Sequence, residues 1–472
     1  MTATSAVPKE LWPTLFEKTM GGYASIDGSF APDNLYLLSG WIAECIDFDK
    51  LQKNMRRSID QLWSDILQLL RDRKAVACLA TPASSDRQVE SAIGNTGLLS
   101  QHAYSVLEAA EVDGNKLMFI RNPHRQTRWK GKFSPSDRLS WTHRMKDELQ
   151  YDPQKHQNDD GCFWMEWKDI STHFDGISLA YDPSIFPHRV DVHSCFDPTG
   201  QAAFVSSARR VSAFSPQFVL ELKPTKDDLC LSEVEVWVQL HRHISAADHV
   251  KEEKEKKISI TTHVFEGGDR VQLIDGERWS KLSMATYMMI KLDKFRLPWR
   301  KRDDPVEREL SDYNLKYTIV VGQYKRKEAF NFTFSVFSTV KATLHELPPV
   351  IPQGWISQYH DGEWTKENAG GCRNHPTFDK NPQYSVITPE DVKAVVLLES
   401  QHPHGVAVVQ DVFRKIAYTL SFYLQTDTTF KAGENRLTVT TYEPQQLGKY
   451  RLSIHTPPLS GSPVYPVVKR VK

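Results

Sequence analysis

Apolar residues in the first third of the chain predict a helix, a strand and a hairpin. Between Asp49 and Lys74 they recur every three or four positions, which places them on one helix face: Leu51, Met55, Ile59, Leu62, Ile66 and Leu69. The short apolar run 75–80 predicts a buried strand. Residues 103–108 and 116–121 predict the two strands of a hairpin, because Asp113-Gly114 between them is a strong two-residue turn signal.

Beyond about residue 196, period-two alternation replaces helical spacing, as in residues 234–240. The region also repeats, since residues 215–220 (SPQFVL) are echoed by residues 381–386 (NPQYSV), 166 positions later. Each copy is followed by an apolar strand, a histidine-containing turn and a pair of strands. The patterns predict an α+β unit over residues 1–195, followed by antiparallel β-sandwiches over residues 196–345 and 346–472.

Composition narrows the class of protein. The chain has 59 Lys+Arg and 59 Asp+Glu, and zero formal charge argues against nucleic-acid binding. A mean hydropathy of −0.47 and the lack of a long apolar run predict no transmembrane segment, and the N-terminal residues show no secretory signal. Six scattered cysteines without a CxxC pair fit a reducing compartment, so we expect a soluble, cytoplasmic protein.

Two charge-rich segments, 251–257 and 300–304, mix both signs. Mixed charge is typical of solvated loops, which is the prediction for both segments. A patch that binds a membrane or a partner is the alternative that stays open.

A histidine and an asparagine lie at the same end of the predicted hairpin. His102 opens the first strand and Asn122 closes the second. An imidazole oriented by an amide oxygen is the base and orienter of a cysteine protease. A strict two-residue turn places their side chains on opposite faces, so the pair needs a one-residue bulge, or Asn122 must lie beyond the ladder. On spacing alone, a surface histidine remains the alternative.

Several segments resemble motifs of the calpain family. Residues 97–106 (GLLSQHAYSV) resemble its histidine motif GHAYSV, residues 120–134 its asparagine motif IRNPW…WxGxWS, and residues 159–165 (DDGCFWM) its DDGEFWM block. Residues 10–23 and 38–41 are similar to the family's LWPxLxEK, GGY and LTGW segments. The RWKG of residues 128–131 and residues 369–384 point to the PalB-type, calpain-seven-like subfamily. That subfamily carries two calpain-type, C2-like β-sandwiches.

The resemblance implies that residues 1–195 are the C-terminal half of a papain-like protease domain. The implied activity is that of an intracellular cysteine endopeptidase acting on protein or peptide substrates. His102 would be its general base and Asn122 the orienter, with Trp129 shielding the pair from water. The subfamily also implies a trafficking-machinery protein as a partner. Gln101 and His124 stand where the family has Gly and Trp.

None of the six cysteines matches the nucleophile segment QxxxGDCWF of the family. In papain-like enzymes the nucleophile lies about 130–150 residues before the histidine, whereas 101 residues precede His102. Cys45, Cys78 and Cys162 have the neighbours of structural cysteines, so we expect no peptide hydrolysis by this chain alone. Two explanations stay open: a fragment or mis-started gene model of a full enzyme, or a non-catalytic pseudoprotease that uses its sandwiches as a scaffold for protein or membrane machinery.

No cofactor and no metal are expected. In calcium-dependent calpains, one site uses four acids whose matching positions here are Arg128, Pro135, Asp160 and Cys162. Since Ca²⁺ takes about six to eight oxygens, one acid beside an arginine is too few. The histidine pairs at 241/243 and 402/404 could hold zinc, but no third ligand lies nearby in sequence, so turn histidines are the prediction.

Overall fold

The computed structural model describes most of the 472 residues. The residues left undescribed are 1–6, 8, 20–21, 23–30, 54–57, 83–93, 126, 154–159, 197–214, 226, 229–232, 244–258, 272–289, 299–314, 325–328, 353, 402–404, 411–413, 420–422 and 459–465. The charge-rich segments predicted as loops and the histidines at 402 and 404 lie outside the described residues.

One antiparallel sheet of six strands organises the first part of the chain. In chain order its strands are β1 (Ile42–Asp47), β2 (Ala75–Ala80), β3 (Ala103–Val112), β4 (Asn115–Arg121), β5 (Cys162–Glu166) and β6 (Gly176–Tyr181). Their order in the sheet is β1-β6-β2-β3-β4-β5. The helices of this part are α1 (Trp12–Thr19), α2 (Ala31–Ser39), α3 (Phe48–Lys53), α4 (Ile59–Arg71), α5 (His143–Glu148) and α6 (Trp167–His173).

The helix predicted between Asp49 and Lys74 is two helices, α3 and α4. Ser58 begins α4 as a capping box: its side chain accepts from the backbone N–H of Gln61, and the Gln61 side chain accepts from the backbone N–H of Ser58. This arrangement satisfies backbone N–H donors that the first turn of a helix leaves unpaired, and it sets the start of α4 at Ser58. The apolar face of α4 then packs on the sheet through Leu62 and Ile66.

The predicted hairpin is confirmed, and residues 75–80 form a strand, although Val76 and Ala80 on it are exposed rather than buried. Asp113 and Gly114 both have positive φ, 50° and 73°, as a tight two-residue turn between right-twisted strands requires. Strand β4 is covered on both faces: Met118 and Ile120 belong to the core beneath α4, while Leu117 belongs to a second cluster with Trp141. The hairpin is therefore anchored from two sides, which fixes the end that carries His102 and Asn122.

Two four-stranded antiparallel sheets follow and share one core. The strands are β7 (His188–Phe196), β8 (Gln217–Lys223), β9 (Glu233–Arg242), β10 (Ser259–Glu266), β11 (Ile290–Pro298), β12 (Lys316–Tyr324), β13 (Phe330–Ser338) and β14 (Lys341–Glu346). Their orders are β10-β12-β8-β14 and β11-β9-β13-β7. Phe218 of one sheet stacks on Phe334 of the other, with 5.3 Å between ring centroids.

The remaining strands also form two antiparallel sheets around one core. They are β15 (Ile356–Trp364), β16 (Gln383–Thr388), β17 (Val392–Ser400), β18 (Val406–Gln410), β19 (Arg414–Thr419), β20 (Tyr423–Phe430), β21 (Gly433–Thr441), β22 (Gly448–Thr456) and β23 (Val467–Arg470). Their orders are β15-β22-β17-β20 and β19-β18-β21-β16-β23. The repeated segments 215–220 and 381–386 overlap β8 and β16.

The outer face of the β11-β9-β13-β7 sheet packs against the six-stranded sheet. Trp237 on β9 contacts Tyr181 and Phe186, with ring centroids 5.0 and 4.9 Å apart, and Phe337 on β13 joins the same core. The backbone N–H of Ala43 also donates to the side chain of Gln239, at 2.9 Å. The two parts of the chain thus share a continuous apolar core.

Lys294 on β11 is held at the same contact. Its Nζ lies 2.6 Å from a Glu44 carboxylate oxygen, 3.9 Å from the Trp237 ring centroid and 4.6 Å from that of Tyr181. An ammonium that meets a carboxylate and two aromatic faces gains both ion-pair and cation–π stabilisation. Lys294 therefore links the first sheet to the outer face of the following one.

Mostly antiparallel sheets with six described helices agree with the predicted α+β start and β-sandwich continuation. Strand β7, which the predicted boundary at residue 195 assigns to the first unit, hydrogen-bonds along β13 of the following unit. The boundaries at 195 and 345 stay predictions. Among the described residues, no helix is long and apolar enough to cross a membrane.

Candidate active site

A one-residue bulge interrupts the hairpin four residues after its first strand begins. Val106 lies opposite Ile120, whereas Glu108 lies opposite Phe119, so Leu107 is the extra residue of β3. Beyond an extra residue in one strand, the side chains of that strand switch to the opposite face relative to those of the partner strand. This is the kind of irregularity that the spacing of the histidine and asparagine required.

The bulge brings His102 and Asn122 to one face. Beyond it, continuation of the register sets Asn122, just past the end of β4, opposite Tyr104. Tyr104 is two residues from His102, and residues two apart share a face. The structure places His102 Nε2 2.9 Å from Asn122 Oδ1.

The Asn122 amide is locked in one orientation. It is 0% exposed, and its Nδ2 donates to the backbone oxygen of Thr127 at 3.0 Å. Its Oδ1 accepts from the backbone N–H of His124 at 3.0 Å as well as facing His102. Because a carbonyl oxygen only accepts, His102 Nε2 carries the proton, and Nδ1 keeps its lone pair in the neutral ring.

The backbone of His102 is tied to the end of β2. Thr81 Oγ1 accepts from the His102 N–H at 3.0 Å, and the Thr81 N–H donates to the His102 oxygen at 3.0 Å. Thr81 Oγ1 in turn donates to the backbone oxygen of Leu99 at 2.6 Å. The loop before the histidine is thereby joined to a core strand, which limits movement of the ring.

Gln101 occupies the left-handed region of backbone space, with φ of 50°. The left-handed conformation costs a residue with a side chain about 1–2 kcal/mol, a cost that glycine avoids. This explains why the motif that this segment resembles has glycine at this position.

Replacing Gln101 by glycine is therefore expected to raise the free energy of unfolding by about 1 kcal/mol. Urea unfolding of the full chain measures this change. Gln68→Gly within α4 is the matched control and should lower stability by about 1 kcal/mol, because glycine is unfavourable inside a helix. A loss of stability in Gln101→Gly would contradict the strain at this position.

The surroundings of His102 favour its neutral form. Burial lowers the pKa of His102 below its ordinary value, the neighbouring His124 lowers it further, and the hydrogen bond to Asn122 acts in the opposite direction. The rings of His102 and His124 lie 4.4 Å apart, and Tyr104 packs edge-on at 4.9 Å. A neutral imidazole with Nδ1 unprotonated can accept a proton, as a general base must.

Trp129 is buried but its recorded partners lie elsewhere. Its indole N–H donates to the backbone oxygen of Lys132 at 2.8 Å, and its ring lies 5.3 Å from that of His173. Gly131 passes so close that a side chain there would overlap the indole. The shielding of His102 by Trp129 stays a prediction, whereas the ring that directly flanks His102 is His124.

Cys45, Cys78 and Cys162 are not activated thiols. Burial raises the pKa of Cys78, and burial followed by the charge of Asp160 raises that of Cys162. Cys45 reaches the surface, yet the protein atoms around its sulfur raise its pKa too. A nucleophilic cysteine needs the opposite shift. Cys230 lies outside the described residues.

The matching positions of the calcium site hold little that binds a cation. Asp160 Oδ1 accepts from the backbone N–H of Cys162 at 2.9 Å. Arg128 and Pro135 line a cavity rather than a carboxylate cluster. Within the described ranges, no three His, Cys, Asp or Glu side chains form a group suited to a metal.

His243 and His193 share a hydroxyl partner, and the ring of His241 lies 5.6 Å from that of His243. Thr333 Oγ1 lies 2.7 Å from His243 Nε2 and 2.8 Å from His193 Nδ1. Burial lowers the pKa of His241 to about 4, and Tyr36 packs on its ring at 4.4 Å. The prediction of turn histidines is wrong for His241, which lies on β9, whereas His243 directly follows the last residue of that strand.

Three residues of this site were not singled out from the sequence for these roles: Thr81, Thr127 and His124. Two of them act through backbone contacts across loops, which leave no periodic pattern. His124 was visible only as a departure from the family motif. A Thr that follows a buried strand, as Thr81 follows β2, is the one local signal that could have found the anchor of His102.

The sequence that forms this site is similar to that of known proteins. Residues 1–181 match the model of the calpain family cysteine proteases, and residues 360–400 match that of domain III of the calpain large subunit. The resemblance to the calpains is confirmed. The two matched regions carry the His–Asn pair and the start of the last pair of sheets, respectively.

Calpain-type relatives match along most of the chain. Calpain-7 of Mus musculus is 28% identical over 84% of this chain and 46% of its own length. The calpain-like protease palB of Emericella nidulans is 26% identical over 94% of this chain and 49% of its own length. The calpain-type cysteine protease DEK1 of Zea mays is 35% identical over 40% of this chain. The chain spans about half the length of the calpain-7 and palB relatives.

Proposed function

We propose that this chain supplies the base and orienter of a calpain-type cysteine endopeptidase. The observation that carries the proposal is the 2.9 Å hydrogen bond from His102 Nε2 to the fully buried Asn122 Oδ1. It leaves Nδ1 as the proton acceptor toward a thiol. The substrates would be proteins, because its relatives are calpain-type proteases.

In this function, His102 removes the proton of a cysteine thiol and the resulting imidazolium stabilises the thiolate. The thiolate attacks the peptide carbonyl, and His102 later gives the proton to the leaving amine. Asn122 holds the ring in the productive tautomer throughout. A neutral imidazole of lowered pKa becomes more basic once a thiolate lies beside it, because opposite charges favour the protonated form.

The nucleophile in this proposal comes from a calpain-type segment other than the six cysteines of this sequence. Exposed apolar side chains of Leu11, just before α1, and of Trp12 and Leu15 on α1 provide a surface on which such a segment can pack. Exposed patches of this kind mark interaction sites in folded proteins. The chain by itself is then expected to leave peptides intact.

A chimaera tests the proposal. The nucleophile-bearing segment of calpain-7 is joined ahead of residue 1, and cleavage of a fluorogenic protein substrate is compared with that by the unmodified chain. We expect turnover and covalent labelling by an epoxide cysteine-protease inhibitor in the chimaera only. Labelling of Cys45 or Cys78 with turnover in the unmodified chain would contradict the assignment.

A non-catalytic scaffold is the second candidate, favoured by the raised pKa values of Cys45, Cys78 and Cys162. In this function the β-sandwiches bind protein or membrane machinery and the His–Asn pair is structural. A chimaera that folds, as judged by circular dichroism, yet shows neither turnover nor labelling favours the scaffold.

A further inference from the structure

A cavity of about 780 Å³ shares Trp141 with the second core cluster. Its volume falls in the range of small-molecule sites. Arg128, Arg138 and Lys146 line it together with Trp141 and Asp137. Among the described residues of the lining, three cations face one carboxylate, which makes this part of the cavity positive.

The single carboxylate of the lining is already used by the protein. Asp137 Oδ2 accepts from the N–H of Phe133 at 2.8 Å, and Oδ1 accepts from those of Leu139 and Ser140 at 2.9 and 3.2 Å. These hydrogen bonds lower the pKa of Asp137 despite the opposing effect of burial. Its charge therefore holds a turn and is not directed at the neighbouring cations.

Two of the cations form no ion pair with a described carboxylate. Within the part of the chain that the structure describes, no carboxylate forms an ion pair with the side chain of Arg138 or Lys146. Arg128 has further contacts within the protein, so its charge is only partly available to a ligand. Nearby acids, Asp152 and Asp160, are close enough to raise the pKa of Tyr151 but do not line the cavity.

The uncharged polar groups at the cavity also form hydrogen bonds within the protein. The indole N–H of Trp141 donates to the backbone oxygen of Ser134 at 3.2 Å, and the hydroxyls of Ser134 and Ser136 lie 3.0 Å apart. The groups that remain available to a ligand are therefore the cationic side chains. Guanidinium and ammonium groups around a concave space suit the several oxygens of a phosphate ester, through charge-assisted hydrogen bonds.

We propose that this cavity binds a phosphorylated small molecule carrying more than one phosphate group, free or as the headgroup of a lipid. The volume admits more than a single inorganic phosphate. The two arginines lie outside helices and Lys146 lies on α5, so the three cations occupy separate positions and can contact separate phosphates. The proposal concerns a site apart from the His–Asn pair and does not depend on peptide hydrolysis.

Isothermal titration calorimetry of the full chain with inositol trisphosphate tests it. We expect saturable binding that weakens at least tenfold in the double variant Arg138→Gln/Lys146→Gln. Arg144→Gln is the matched control, because Arg144 pairs with Asp113 and Glu148 outside the cavity and should leave affinity unchanged. The charge-conserving variant Arg138→Lys/Lys146→Arg should keep most of the binding, which separates charge from folding.

Vesicles distinguish the two sources of the phosphate. Flotation with vesicles that contain phosphatidylinositol bisphosphate, reduced by the double variant, identifies a lipid headgroup; binding of the soluble inositol phosphate without flotation identifies a free ligand. No saturable binding of inositol trisphosphate overturns the proposal, as does equal affinity in the double variant. Binding of a phosphoserine peptide in place of inositol trisphosphate also overturns it.

Discussion

Replacing His102 by alanine in the calpain-7 chimaera is expected to lower kcat/KM for the fluorogenic substrate by at least about 10³-fold. The substitution removes the group that takes the thiol proton and later returns it to the amine. The thiol then stays largely protonated at neutral pH, since an unperturbed cysteine has a pKa of about 8.5. Asn122→Ala should lose activity as well, because the ring loses its fixed tautomer.

The control for this loss is His143→Ala. His143 begins α5, is exposed, and lies apart from the hydrogen bond between His102 and Asn122. Its replacement should leave kcat/KM unchanged. A His102→Ala chimaera that keeps activity within tenfold of the parent would remove this residue from the mechanism.

The second large effect is one of stability. Replacing Trp237 by alanine is expected to cost about 3–5 kcal/mol of unfolding free energy. The side chain is 7% exposed, packs against Tyr181 and Phe186, and lies beneath the Lys294 ammonium. Its loss leaves a cavity in the core that joins the six-stranded sheet to the following sheet, and removes one aromatic face from Lys294.

Trp12→Ala provides the comparison for Trp237. Trp12 is 62% exposed on α1, so its removal should change stability by no more than about 0.5 kcal/mol. Urea unfolding followed by circular dichroism measures both variants. Similar midpoints for Trp237→Ala and the parent would mean that the two sheets do not depend on this contact.

The elements of the first sheet follow from local signals. The hairpin was predictable because Asp113-Gly114 imposes positive φ at both turn positions, and α4 because its apolar residues share one face. The break between α3 and α4 was not, since apolar spacing continues across it. The capping box at Ser58 starts a new helix at that residue, even though the apolar spacing is compatible with one continuous helix.

The outer packing of β9 could not be predicted. Alternation showed that Val234, Val236 and Val238 share one face and that Trp237 and Gln239 share the other. A period of two separates the faces but carries no information on what covers the second one. Here the second face meets the six-stranded sheet, so residues that suggested solvent exposure lie in a core.

The sequence identified the two residues of the candidate site, His102 and Asn122, but not how the chain brings them together. Counting residues across the turn showed that His102 and Asn122 needed an irregularity to meet. A bulge has no sequence signature in this strand, so its location at Leu107 had to come from the structure. The contacts of Thr81 and Thr127 depend on how loops return to the hairpin, which local patterns do not encode.

The state of the His102 ring tests the central claim most directly. Nitrogen-15 NMR of the full chain reports which ring nitrogen carries the proton and the pH at which the ring becomes charged. The account predicts a proton on Nε2 with Nδ1 unprotonated, and a pKa below the ordinary 6.5, so that the ring stays neutral until the pH falls below that value. The tautomer preference should disappear in Asn122→Ala. A proton on Nδ1, or a pKa at or above 6.5, would contradict an imidazole that Asn122 orients as a base.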